Sequence, residues 1–199
     1  MEGTPYINRV IDAPAPFARA LDSLRGHTFR PELRVHQVPP PRNLAPWAVA
    51  LEARISSSRT GEDFRGRGRF VVLYDPAGQP AWEGPFRLVS TAAAPTDEDM
   101  AADPLLGEVA WSWLADALTI EDASYHNLVG TVSRIYNESF GGLERSSFLT
   151  ELELRASWSP DNANLFSHLE AWVAFLARVG GLAPAGVATL PRLLHPSHD

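Results

Sequence analysis

Phe70-Val-Val-Leu-Tyr-Asp-Pro-Ala-Gly-Gln-Pro-Ala-Trp-Glu-Gly-Pro-Phe86 decides the fold class. Five strand formers, Phe70 to Tyr74, run into Asp75-Pro76-Ala77-Gly78. Proline there presets the φ of a type I turn, aspartate can bond the turn backbone, and glycine tolerates the exit geometry. Trp82, Gly84, Phe86 and Leu88 then alternate with Glu83, Pro85, Arg87 and Val89. This pattern predicts an antiparallel hairpin that turns at Asp75–Gly78. Its first strand is apolar on both faces and belongs in the middle of a sheet. Pro85 marks its second strand for an edge or a bulge.

Working outward, Asp12 is placed to cap a helix with Pro14 and Pro16 in its first turn and Phe17, Ala20, Leu21 and Leu24 as its apolar stripe. Pro31 opens a short strand that ends at the stiff Pro39-Pro40-Pro41 run. Trp47, Val49, Leu51, Ala53 and Ile55 alternate with Ala48, Ala50, Glu52, Arg54 and Ser56, a strand with one wet face. Beyond the hairpin, Thr96 to Asp99 starts a short acidic helix, and Asp103-Pro104 opens a longer one. Strands are expected near Tyr125–Glu138 and Ser147–Trp158, with Gly141-Gly142 between them. A last helix, capped by Asn162 or Asn164, carries Leu165, Leu169, Trp172, Val173 and Leu176 and stops at Gly180-Gly181.

The fold class expected is therefore α+β: an antiparallel sheet of about five to six strands with three main helices, in the order α-β-β-β-β-α-β-β-α, the helices on one face. Residues 1–13 read as a flexible lead-in, 14–183 as a single domain and 184–199 as an extended tail.

Composition excludes several chemistries. The chain of 199 residues has no cysteine, which removes disulfides, thiolate metal sites and thiol catalysis. All 17 basic residues are arginine, so neither a Schiff-base lysine nor a phosphate-loop lysine exists; coding bias in a GC-rich genome accounts for the absence. A net charge of −7, with no basic run beyond Arg65-Gly-Arg67-Gly-Arg69, argues against nucleic acid as a partner. The start of the chain lacks a basic stretch followed by an apolar one, and the most apolar helix is too short for a bilayer. A cytoplasmic location without membrane association is expected.

No catalytic motif assembles. Glu138-Ser139-Phe140-Gly141-Gly142 lacks the glycine two before the serine and the strand–turn–helix setting of a nucleophile elbow. The arginines at 65, 67 and 69 fit solvated gatekeepers better than an anion loop. His168 and Glu170, two apart on a helix, point away from one another. No histidine pair has metal spacing, and Asp97, Glu98, Asp99 and Asp103 suit helix-dipole compensation. No cofactor or metal is expected.

Several segments together carry a family resemblance. They are Arg30-Pro-Glu-Leu33, Leu73-Tyr-Asp-Pro-Ala-Gly-Gln-Pro-Ala-Trp-Glu-Gly84, Met100-Ala-Ala-Asp-Pro-Leu-Leu106, Trp111-Ser-Trp-Leu114, Glu138-Ser-Phe-Gly-Gly-Leu143, Arg155-Ala-Ser-Trp-Ser-Pro160 and His168-Leu-Glu-Ala-Trp172. Over roughly Pro14 to Pro191 the chain resembles an uncharacterised actinobacterial family, the domain of unknown function numbered three thousand. The resemblance implies a single-domain cytoplasmic protein and no particular activity. The order of elements is also similar to that of type III secretion chaperones, with one strand more.

Two functional readings follow. One is a non-enzymatic interaction or adaptor module with a protein partner, a homodimer among the forms it can take. It uses Trp111, which sits at the margin of its helix stripe, and Phe175. The other is a small-ligand-binding domain or cryptic hydrolase, with a pocket between sheet and helices lined by Trp82, Glu83, Glu138 and Arg155.

Overall fold

The central hairpin forms, and it turns later than the sequence suggests. The computed structural model describes residues 12–56, 64–138, 140 and 150–183. In it β3 (Phe64–Gln79) pairs with β4 (Gly84–Pro95), Tyr74 facing Phe86 and the next pair being Gln79 with Gly84. Asp75–Gly78 is thus a bulge within β3, and Pro80–Glu83 makes the reversal. The cause is local. Asp75 accepts from the Ala77 amide at 3.0 Å and from Gln79 Nε2 at 3.2 Å, and Gly78 takes φ +71°, so the four residues close on themselves without reversing the chain. The Trp82 amide then donates to the Gln79 carbonyl at 2.9 Å and closes the true turn.

Six antiparallel strands lie in the order β1-β2-β3-β4-β6-β5, β1 being Leu33–Val38, β2 Trp47–Ser56, β5 Tyr125–Tyr136 and β6 Thr150–Pro160. Helices α1 (Ala15–Leu24), α3 (Leu106–Ile120) and α4 (Phe166–Val179) are long, and α2 (Glu98–Ala102) is a single short turn. The expected α+β class and order of elements hold.

The main core joins one sheet face to the helices. Val49, Leu51, Ala53 and Ile55 of β2, Phe70 and Val72 of β3, Leu88 and Ala92 of β4, and Leu152, Leu154 and Trp158 of β6 meet Phe17, Leu21, Leu114, Leu169, Trp172 and Leu176. The period-two residues of β2 and β6 fall on this face as expected. Gly68 explains how α4 sits so close, since a β-carbon there would lie 2.3 Å from Leu176 Cδ2; one at Gly66 would lie 2.7 Å from the Ala93 carbonyl of the neighbouring β4. The intervening arginines therefore all face the opposite side.

Two helix ends differ from expectation. Asp12, at φ +59°, does not cap α1; Pro14 is its N-cap, and proline fixes the first turn without a side-chain bond. The α4 N-cap is Leu165, although Asn164 Oδ1 accepts from the Phe166 amide at 3.2 Å just outside it. Asp97 does cap α2, accepting from the Met100 amide.

Candidate functional site

The helix-free face of the sheet holds a second, smaller apolar cluster, Ala50, Val71, Leu73 and Trp82, with Val38, Ala45, Ala48 and Val89 against it. Because the turn falls at Pro80–Glu83, Trp82 leaves the strand alternation and folds onto this face, away from the helices. Beside it opens a bowl of about 590 Å³, lined by the apolar Leu44, Leu73, Pro80, Val89 and Val129 and by Arg87, Asn127, Ser157, Trp82 and Glu83.

Both strands that frame the bowl are irregular there. The β5–β6 register shifts between His126 and Val129, and Asn127 and Glu83 both adopt left-handed φ, +53° and +54°. Non-glycine residues held in that region are strained, and such strain gathers at binding sites.

Arg87 is the central group. It is 7% exposed. Its Nη1 donates to Ser159 Oγ at 3.1 Å, and its Nη2 donates to Ser157 Oγ at 2.8 Å and to the Ser157 carbonyl at 3.2 Å. All three acceptors are neutral, and no carboxylate among the described residues pairs with it. Burial pulls its pKa below the ordinary arginine value, with no anion to oppose the pull.

A polar strap ties the bowl to the turn. The Trp82 carbonyl accepts from Ser159 Oγ at 2.6 Å and from His126 Nε2 at 3.1 Å, while His126 Nδ1 lies 2.6 Å from Asp161 Oδ1. Carbonyl and carboxylate both accept, so the two ring nitrogens can donate together only when the ring is protonated, and the arrangement favours the imidazolium form of His126. Its pKa is raised, first by the bond to Asp161 and then by the Trp82 carbonyl and the nearby charges of Asp161 and Glu83.

The other expected site residues scatter. Glu138 lies exposed beyond the far end of β5, roughly 35 Å along the strand from His126. Arg155 is exposed on the helix-free face and donates to Glu153 at 2.7 Å. Of the four residues expected to line a pocket, the bowl joins Trp82 and Glu83 only, and it lies on the face opposite the helices. Phe175, expected on a surface, is fully buried, because α4 buries His168, Ala171 and Phe175 as well as Leu169, Trp172 and Leu176 of its predicted stripe, while Val173 of that stripe is only half-buried. Trp111 is half-buried, with its ring over Gly130: a β-carbon there would come within 2.6 Å of its Cζ3.

His168 and Glu170 point apart as expected. His168 Nδ1 accepts from Trp158 Nε1 at 3.1 Å inside the core, and burial holds its pKa down to about 4. Glu170 meets His27 Nδ1 at 2.6 Å. A groove of about 660 Å³ between α3 and α4 is mainly apolar. Among the described residues no three His, Asp or Glu side chains are grouped as for a metal, and no helix is long and apolar enough to cross a membrane.

Sequence reasoning missed Arg87 as a site residue. The available signal was the apolar Leu73 and Val89, which share a face with it that otherwise reads as wet.

A family model described as protein of unknown function (DUF3000) matches residues 13–188, and the chain belongs to that family. No curated protein and no solved structure matches it.

Proposed function

We propose that this DUF3000 member binds a small organic anion, a carboxylate on an apolar body, in the bowl on the helix-free face of its sheet. The observation that carries this reading is Arg87, a guanidinium buried among neutral acceptors. A buried charge without a counter-ion is unfavourable, and a planar fork of donors is matched by a carboxylate. Apolar walls with a few convergent polar groups are the usual make-up of a small-molecule site. Strain at Glu83 and Asn127 supports the same place. A surface centred on Trp111 and Phe175 has less support, since one ring covers Gly130 and the other is buried.

Thermal-shift and calorimetric titration with aliphatic and aromatic carboxylates, their amides, and inorganic phosphate tests the reading. Carboxylates should stabilise the protein and the matching amides should not. Val129→Trp, at an exposed wall position, should abolish the effect while leaving the fold intact. Arg87→Gln should do the same if its serine contacts survive. Equal responses to acids and amides, or unchanged binding in the folded Val129→Trp protein, would refute it.

A further inference from the structure

The bowl holds two charges of opposite sign. Arg87 lines it from β4, and Glu83 lines it from the turn that precedes β4. Glu83 is exposed, and among the described residues no arginine or histidine is ion-paired with it. The His126 ring, whose charge lies near it, is already bonded to Asp161 at 2.6 Å. A simple carboxylate drawn to Arg87 therefore enters a site that already carries a carboxylate, and like charges repel.

Glu83 is also held in place at a cost. Its amide donates to the Gln79 carbonyl at 3.1 Å and to the Pro80 carbonyl at 3.3 Å, and its φ is +54°. The preceding carbonyl, of Trp82, is gripped by Ser159 and His126. Glycine takes that left-handed backbone without strain, and glutamate does not. A turn shaped for stability alone would set glycine there. A carboxylate fixed at a strained position, in the same bowl as a buried guanidinium, points to recognition.

Given a carboxylate held by Arg87, we propose that the ligand of the bowl is a zwitterion, an amino acid with an apolar body; this rests on the Arg87 reading and adds a second charge to it. The ligand carboxylate meets Arg87, and its ammonium meets Glu83, with the Asn127 amide oxygen as a further acceptor. Its carbon chain lies against Leu44, Val89 and Val129. Such a ligand answers both protein charges, whereas a monoacid answers one and opposes the other.

The test is calorimetric titration of the full-length protein with acids beside their amino forms: isocaproate with leucine, hydrocinnamate with phenylalanine, and caproate with its chain-end amine, aminocaproate. At least one amino form should bind about threefold to fivefold more tightly than its acid, the scale of an exposed ion pair. Glu83→Gln should weaken that amino form and tighten the acid, a crossed change that no loss of folding imitates. Glu83→Gly, which relieves the left-handed backbone, should also remove the preference, with a melting temperature unchanged or higher; a lower one would assign Glu83 to the fold instead. Acids that match or exceed their amino forms in every pair, a preference that survives Glu83→Gln, or equal binding of isoamylamine and phenethylamine, which lack the carboxyl, would overturn the zwitterion. Acid binding that persists in the first two cases would leave the carboxylate site standing. No binding of any acid or amino form would overturn both.

Discussion

Gly68 and Leu176 touch so closely that the β-carbon of any other residue at position 68 would lie 2.3 Å from the leucine Cδ2. The contact joins the centre of the sheet to the last turn of α4. Gly68→Ala should therefore destabilise the protein by about 1–3 kcal/mol, the usual range for overpacking. Leu176→Ala alone leaves a cavity and should lose about 2–5 kcal/mol. In the double variant the two losses should be markedly less than additive, which urea unfolding would read as a coupling energy.

Gly130 should be less forgiving. Its missing β-carbon would meet the Arg155 carbonyl at 2.3 Å as well as the Trp111 ring. Backbone cannot rotate away as a side chain can, so trimming Trp111 to leucine should not rescue Gly130→Ala. Rescue to wild-type melting temperature would show that the ring, not the neighbouring strand, sets the limit.

Two histidines give stability opposite slopes with pH. Folding raises the pKa of His126, so its contribution is complete below the unfolded value of about 6.5 and is lost as pH rises through the folded value. Folding lowers that of His168 to about 4, so the folded state takes up its proton reluctantly. Stability is lost as pH falls from about 6.5 toward 4, by roughly 3 kcal/mol in all. Their joint contribution should peak near pH 6.5. His126→Gln should flatten the alkaline limb and His168→Gln the acid limb; chemical unfolding at a series of pH values would show whether each variant loses the limb assigned to it.

Ser159→Ala should loosen the Pro80–Glu83 turn. The Trp82 carbonyl would keep only the longer bond from His126, and Arg87 would lose one of its acceptors. A loss of about 1–3 kcal/mol is expected for a buried group left short of a partner. Indole fluorescence of Trp82 should shift to the red; no shift would mean that the hydroxyl does not hold the turn.

Where a single strand or helix carries its own period, the sequence was readable. Val49 to Ile55, Leu152 to Trp158 and the α1 stripe fall on the core face because alternation or helical spacing leaves them no other. Asp75–Gly78 misled because it satisfies the local rules of a turn, whereas the place of reversal was decided by which residues meet across the strands, Gln79 and Gly84. The same blindness hid Arg87. In sequence it is another arginine among alternating residues, like Arg54; Leu73 and Val89 on its face were a signal, but Leu44, Trp82 and Val129 reach it only from separate segments brought together by the fold. The side-by-side placement of Arg34, Arg54 and Arg67 was invisible for an equal reason, since register is not a property of any one strand.

The strand order has a consequence for biosynthesis. β4 has β3 on one side and β6 on the other, so its second edge stays bare until a segment some sixty residues downstream has left the ribosome. β5 emerges earlier yet does not take its place, because among the described strands its one neighbour in the sheet is β6. The nascent protein thus passes through an interval with an uncovered ribbon, the form most prone to stray pairing between chains. Stalling translation before Thr150 should yield a species captured by holdase chaperones, and stalling it after α4 has emerged should release the chain from them.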